Sequence, residues 1–180
     1  IYADDALSDL NLGGFDAGVR LGEALDADMV AIRLSTGFRF LAAAAPAYLQ
    51  RYGRPLTPQD LSQHRCIRYR AVTLGMTPWN FQQGQRLFEV SVTGPVIVND
   101  MNSMVVAMKA GVAIGFVAEP VVTSLVASGE LELLLTDYAT STSGLFLYYP
   151  SRKQVMPKLR AFIDHVQENL PKQWELLGLR

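Results

Sequence analysis

The sequence contains a single cysteine, almost no net charge and no apolar run of membrane-spanning length, and each of these absences excludes a class of protein. Cys66 alone cannot form an internal disulfide, which fits a reducing compartment. A net charge of -1 and a pI near 6.1 give no field that would hold the chain on nucleic acid. Without a membrane-spanning run or a visible signal peptide, we expect a cytoplasmic protein with no membrane partner.

The common catalytic motifs are also missing. The sequence has no GxSxG elbow, no GxxxxGK(S/T) phosphate loop, no GxGxxG and no HExxH. The two histidines, His64 and His165, have no flanking metal-ligand pattern. Asp4, Asp5 and Asp9 form an acidic cluster that can ligate a cation, although solvated carboxylates or helix caps are the simpler interpretation. We therefore predict no catalytic residue, no metal site and no cofactor, and we expect the chain not to be an enzyme.

The chain is organised around a strand and helix pattern that occurs twice in its second half. A β-branched run at residues 96–98 leads through polar residues into helix-compatible sequence as far as Gly111, a natural left-handed stop. The all-apolar run at residues 112–117 is typical of a buried parallel strand, and a helix with Pro120 in its first turn and Gly129 beyond its end follows. If both strands lie in one parallel sheet, both helices begin at the edge where open α/β sheets bind ligands. The pattern therefore predicts a binding domain.

Four polar residues in five positions, Asn99, Asp100, Asn102 and Ser103, stand at the start of the first of these helices. One of them suffices as a helix cap, which is the ordinary interpretation, so the others are available for a ligand. The amides of the first turn and the Ser103 hydroxyl are suited to a ligand carboxylate or hydroxyl. Asp100 and Glu119 already bring negative charge to both helix starts, which favours a zwitterion, an amine or a polyol at least as much as a simple acid.

Residues that can supply positive charge and an apolar wall to the same ligand site lie elsewhere in the sequence. Arg20 and Arg39 can supply positive charge, although a surface ion pair is the alternative for each of them. Phe38, Tyr69 and Trp79 can supply an apolar wall, although aromatic residues more often belong to a core.

The remaining sequence predicts a mixed α/β chain with a hinge near residue 40. The strand at 38–45 carries small side chains, which allow close backbone approach or a bend. Further strands are predicted at residues 15–21, 29–34, 66–70, 79–81, 86–93, 131–135 and 144–149, helices at 46–52 and 156–170, and a break at 75–78. The last helix carries an apolar stripe of Leu159, Phe162, Ile163, Val166 and Leu170.

Four stretches together resemble a known family. GFDAGVRLGE, which starts at Gly14, resembles the GFDxxxRxG segment of the effector-binding domain of LysR-type transcriptional regulators. APAYLQRYGRPLTPQDLSQHRCI, which starts at Ala45, matches that family's (A/S)PAYLxxxGxPxxPxDLxxHxC pattern nearly position for position. GPVIVNDMNSMVVAMKAGVAIGFVAE and YYPSRKQVMPKLRAFIDHV follow in the expected order. The resemblance covers essentially the whole chain.

The resemblance implies an α/β, type 2 periplasmic-binding-protein-like fold of two Rossmann-like lobes joined by two crossover strands, with an effector in the cleft. Lobe I would comprise residues 1–41 and 148–180, and lobe II residues 42–147. Family members line the cleft at positions that correspond to the start of the helix at Asn102, the loop at Arg20 and the hinge. The candidate ligand-binding residues, from the sequence pattern and the resemblance together, are Asn99, Asp100, Met101, Asn102, Ser103, Tyr69, Glu119, Arg20, Thr36, Gly37 and Phe38.

The resemblance also implies partners. Family domains open with a further strand and helix, and full-length members carry an N-terminal winged helix-turn-helix. This chain starts after both, so we expect it to contact DNA only through that absent domain. Relatives assemble as dimers or tetramers, and we expect self-association and an unknown small-molecule effector here. The alternatives are an extracytoplasmic solute-binding protein of a transporter and an enzyme on the same scaffold.

Overall fold

The computed structural model describes residues 14–22, 29–71, 75–150 and 156–176, which fall into two compact units. The first unit is Arg39–Thr140, and the second contains the described residues of 14–38 and 141–176. Within the described residues, the chain passes between the units after residues 38 and 140. The strand Leu145–Pro150 lies wholly in the second unit, whereas the boundary predicted after residue 147 would divide it. The assignment of residues to lobes stays a prediction.

The described chain contains strands, four α-helices and two 3-10 helices, Pro58–Gln63 and Thr136–Tyr138. The strands are β1 (Gly18–Leu21), β2 (Met29–Arg33), β3 (Arg39–Ala44), β4 (Ile67–Ala71), β5 (Gly75–Thr77), β6 (Trp79–Gln83), β7 (Arg86–Val90), β8 (Val96–Val98), β9 (Gly115–Ala118), β10 (Glu132–Leu134), β11 (Thr140–Ser141) and β12 (Leu145–Pro150). The helices are α1 (Pro46–Tyr52), α2 (Met101–Lys109), α3 (Glu119–Ala127) and α4 (Pro157–Leu176). The break predicted at residues 75–78 is wrong, because β5 pairs with β4 there.

Pairing in the first unit gives three strands the same direction. β8 is parallel to β4, and a parallel bridge between Cys66 and Ile114 joins the start of β4 to the residue before β9. Hydrogen bonds from the Ile67 amide to the Ile114 carbonyl (2.8 Å) and from the Ile114 amide to the Arg65 carbonyl (2.9 Å) hold this junction. β4 therefore lies between β8 and β9. The expectation that both helices begin at one sheet edge is confirmed, although the two preceding strands are not neighbours.

The small residues of β3 allow two layers to pack on one strand. β3 pairs antiparallel with β9 on one side and with β10 on the other. Ala42 and Ala44 contact a cluster that includes Trp79, whereas Ala43 contacts a cluster that includes Met108 under α2. All three alanines are fully buried. The predicted small-residue strand is thus the centre of the first unit's core.

Glycines end the helices as the sequence predicts. Gly53 after α1, Gly111 after α2 and Gly129 after α3 have φ values of 80°, 66° and 76°. These left-handed conformations are readily adopted only by glycine, so the chain turns away at each of these points.

The second unit is a three-stranded antiparallel sheet covered by α4. β12 lies between β1 and β2, and Leu147 packs against Leu159 and Ile163 of the helix. Phe162, predicted in the same stripe, is 42% exposed instead. The buried stripe of α4 is therefore narrower than the sequence suggests. None of the helices in the described residues is long and apolar enough to cross a membrane.

Candidate functional site

The start of α2 is capped by one residue of the polar cluster. Asp100 is the N-cap; its Oδ1 accepts a hydrogen bond from the Ser103 amide (2.8 Å), and its Oδ2 accepts one from the Ser103 hydroxyl (2.6 Å). These bonds favour the ionised carboxylate, so they lower the pKa of Asp100, with the Ser103 hydroxyl as the largest cause. The amide and the hydroxyl hydrogens of Ser103 are therefore both donated to the Asp100 carboxylate.

Two carboxamides remain beside this cap. The side chains of Asn99 and Asn102 are exposed and have no hydrogen-bond partner among the residues that the structure describes. Each offers two N–H donors and one carbonyl acceptor. The Tyr69 hydroxyl donates to the backbone carbonyl of Asn99 (3.0 Å), so an aromatic side chain lies next to Asn99. The cluster thus contains more hydrogen-bonding capacity than the cap uses.

Buried methionines fix the position of α2. Met104 and Met108 are 1% and 0% exposed, and Met101 is partly buried above them. A Cβ added to Gly115 would overlap the Met108 side chain and crowd that of Met104, so this glycine lets α2 pack directly on β9. The polar groups at the helix start are therefore held on a rigid element.

The start of α3 differs, because its acidic residue is already paired. The Arg39 Nε donates to Glu119 Oε2 (2.8 Å), and the Arg39 Nη2 contacts Glu119 Oε1. The hydrogen bond to Glu119 is the main cause that raises the pKa of Arg39. The ion-pair alternative considered for Arg39 is therefore the one that the structure contains, and a ligand role for Glu119 stays a prediction.

The other predicted residues lie in the second unit. The Arg20 guanidinium stands over the Tyr148 ring, 4.8 Å from its centre. The Phe38 carbonyl accepts a hydrogen bond from the Thr142 amide (2.9 Å). A Cβ on Gly37 would overlap the Thr142 carbonyl oxygen, so a glycine is needed for this close approach. Thr36 and Gly37 are exposed, and ligand contacts by this group stay a prediction.

The residues weighed for metal or thiol chemistry fit structural roles. Cys66 is fully buried, and burial raises the pKa of its thiol to about 12, so it behaves as a small apolar side chain. His64 Nδ1 lies 3.2 Å from the Tyr48 hydroxyl. No group of three potential metal ligands occurs within the described ranges. The acidic cluster at Asp4, Asp5 and Asp9 lies outside those ranges.

Comparison with known proteins assigns the family. The LysR substrate binding domain family matches residues 2–171. The HTH-type transcriptional regulator YcaN of Escherichia coli is 34% identical over 93% of this chain, which spans 54% of YcaN. PgrR of the same organism, also an HTH-type transcriptional regulator, is 28% identical over 91% of this chain, which spans 55% of PgrR. The chain thus covers about half the length of these curated relatives.

Solved structures of regulators share the fold. CrgA, a LysR-type transcriptional regulator from Neisseria meningitidis, superposes with a TM-score of 0.75 at 25% identity, covering 89% of this chain and 54% of CrgA. The regulatory domain of AphB from Vibrio vulnificus gives a TM-score of 0.74 at 20% identity, with 93% and 80% of the two chains covered.

This chain is a ligand-binding regulatory domain of α/β architecture. It belongs to the LysR substrate binding domain family, and it is the effector-binding domain of a LysR-type regulator. The expected type 2 periplasmic-binding-protein-like fold is confirmed. The family assignment also favours a regulator over the solute-binding protein of a transporter.

Proposed function

We propose that this chain senses a small polar molecule that binds at the start of α2, and that binding controls a DNA-binding transcriptional regulator. The observation that supports this site is the pair of exposed carboxamides, Asn99 and Asn102, beside a helix start that Asp100 has already capped. A structural cap needs one side chain, and these two have no structural use among the described residues.

The hydrogen-bond directions favour a ligand that donates. The Ser103 amide and hydroxyl both donate to Asp100, so a ligand carboxylate would have to displace that bond. The Ser103 oxygen still has acceptor capacity, and the Asp100 carboxylate stands behind it. An amine, an amino acid or a polyol therefore fits this site better than a simple organic acid.

Effector binding shifts the equilibrium between two arrangements of the protein. A ligand changes the population of two arrangements only if its affinity for them differs. We propose that the arrangements are those of a homodimer or tetramer in the whole regulator, in which an N-terminal helix-turn-helix domain contacts DNA. No catalytic step is needed for this activity, and we propose none.

Thermal unfolding with a panel of amino acids, amines, sugars and organic acids tests the proposal. A ligand at about a hundred times its dissociation constant stabilises the folded state by about 2.7 kcal/mol, which raises the Tm of a domain of this size by roughly 5 to 10 °C. Ser103→Ala and Asn102→Ala should abolish most of that shift. Ser124→Ala is the matched control, because Ser124 is an exposed serine of α3.

The thermal shifts of these variants distinguish a ligand site at the start of α2 from a helix cap that has no ligand role. A shift that survives both substitutions would show that the cluster is only a helix cap and that the ligand binds elsewhere. A shift produced by simple carboxylates alone would contradict the proposed ligand class.

A further inference from the structure

One face of the sheet formed by β5, β4 and β8 carries two arginines for which the described residues supply no anionic partner. The strand register determines which residues share this face. Arg68 is paired with Ile97 of β8, and Arg70 is paired with Met76 of β5. Paired residues point to the same side of a sheet, and so do residues two apart along one strand. These four residues, Arg68, Arg70, Met76 and Ile97, therefore form one surface, which we call the arginine face.

The arginine face is the side of the sheet that α2 does not cover. Ile67 and Val98, at alternate positions of β4 and β8, belong to the buried cluster under α2. On the opposite side, Met76 and Ile97 are 39% and 40% exposed, and Arg70 is exposed as well. The arginine face is therefore open to a partner and separate from the candidate ligand site at the start of α2.

The charge of the two arginines is uncompensated within the described ranges. Arg68 is partly buried, and its buried Nε finds no hydrogen-bond acceptor among the described residues. None of the ion pairs between described residues includes Arg68 or Arg70. A buried N–H without an acceptor costs folding free energy, and two like charges on one face repel each other. An anionic partner would relieve both of these costs.

The spacing of the arginines matches that of an extended peptide. Side chains two residues apart on β4 are separated by about 6.5 Å along the strand, and alternate side chains of an extended peptide repeat at the same distance. Two carboxylates at alternate peptide positions can therefore pair with both guanidiniums.

The rest of the surface favours a peptide over other anions. Met76 and Ile97 add apolar contact area on either side of β4. A sheet face with exposed residues on both flanking strands is not the concave cavity that small molecules prefer. A net charge of -1 provides no wider positive field for a nucleic acid.

We propose that the arginine face binds an extended acidic segment of a partner protein, whose carboxylates at alternate positions pair with Arg68 and Arg70. Each guanidinium can hold a carboxylate through two parallel hydrogen bonds. The apolar side chains of the segment lie against Met76 and Ile97. This interaction does not depend on the ligand site at the start of α2.

Fluorescence anisotropy of the intact chain in low-salt buffer with three labelled peptides, GEVEVG, GEEVVG and GQVQVG, tests the proposal. GEVEVG should bind about fivefold or more tightly than either of the others, since adjacent glutamates point to opposite sides of an extended peptide and glutamine carries no charge. Replacing both arginines, with Arg68→Met and Arg70→Gln together, should remove this preference. Arg86→Gln is the matched control and should keep it, because Arg86 is an exposed arginine of β7 outside this sheet.

Thermal unfolding of Arg68→Met gives a second, independent readout. The Tm should stay the same or rise, because the substitution removes a partly buried charge that has no described partner. A fall of more than about 2 °C would show that Arg68 has a structural partner and would overturn the proposal.

The peptide experiment can also overturn it. The proposal is wrong if GEVEVG does not bind, if it binds no more tightly than GEEVVG or GQVQVG, or if its binding persists in the double variant. A duplex DNA probe that binds more tightly than GEVEVG and is lost in the double variant would assign the arginine face to nucleic acid instead.

Discussion

The starts of α2 and α3 contain the same local pattern but leave different groups available. Both helices follow strands that run in one direction, so both begin at the same sheet edge. At α2, Asp100 serves as the cap and two carboxamides are left over. At α3, Ala118 gives no side-chain cap and Glu119 is held by Arg39. A helix start is therefore a candidate ligand site only when it carries polar side chains that neither cap the helix nor pair with another residue.

The two helices also differ in how they are anchored. Met104 and Met108 bury the inner face of α2, whereas Val122 is the buried residue of α3. The large, flexible side chains of these two methionines fill the space next to Gly115. The candidate site therefore stands on the more deeply anchored helix of the two.

Removing this anchor should give the largest effect. Met108→Ala should lower the free energy of unfolding by about 2 to 5 kcal/mol, because it leaves a cavity between α2 and β9. Val106→Ala is the control on the same helix, since Val106 is 67% exposed. It should change stability by less than about 0.5 kcal/mol in the same urea titration. Equal losses in the two variants would contradict the packing described for α2.

Removing the cap should give a smaller effect. Asp100→Ala should lower the Tm by about 2 to 4 °C, because the Ser103 amide loses its acceptor. Asp100→Asn should stay close to the wild type, since asparagine caps helices about as well. A large loss in Asp100→Asn would show that the charge, rather than the cap, stabilises the helix.

The same cap makes stability depend on pH. The folded state lowers the pKa of Asp100, so its contribution is present above the unfolded value of about 3.9 and is lost as the pH falls through the folded value. The wild type should therefore lose stability relative to Asp100→Asn when thermal unfolding is measured below about pH 4. Parallel pH curves for the two proteins would contradict the cap.

Local signals in the sequence predict much of this arrangement. Gly111 and Gly129 mark the helix ends, Pro120 marks the start of α3, and Asp100 is one of the predicted caps, because each acts through its immediate neighbours. The ion pair between Arg39 and Glu119 joins residues eighty positions apart, so no local pattern indicates it.

Other features of the structure also have no local signal in the sequence. The hydrogen bond from Tyr69 to the Asn99 carbonyl depends on the parallel pairing of β4 and β8. The strand β5 was missed because Gly75 and Pro78 are typical of a break, whereas pairing with β4 decides the structure there. Long-range pairing, rather than propensity, determines these features.

Breaking the ion pair at α3 should have a modest effect. Glu119→Gln should lower the free energy of unfolding by about 0.5 kcal/mol, since Arg39 is 42% exposed and solvent screens the pair. A double-mutant cycle with Arg39→Gln isolates the interaction. If Glu119→Gln instead abolishes effector binding without a change in stability, then Glu119 contacts the ligand and the contrast between the two helix starts is wrong.

Asn102→Ala should have the smallest effect on folding. Its exposed side chain has no described partner, so the free energy of unfolding should change by less than about 0.5 kcal/mol. A clear loss of stability would show that Asn102 has a structural role, and the case for a spare hydrogen-bonding group would weaken.

The most direct test is a backbone NMR titration with the panel compound that gives the largest thermal shift. We expect the amide signals of residues 99–104 to move most at saturation and those of Glu119, Val121 and Val122 to move much less, and we expect Asn102→Ala to remove the first set of changes. Signal changes centred on residues 119–122, or changes at 99–104 that Asn102→Ala leaves intact, would contradict it.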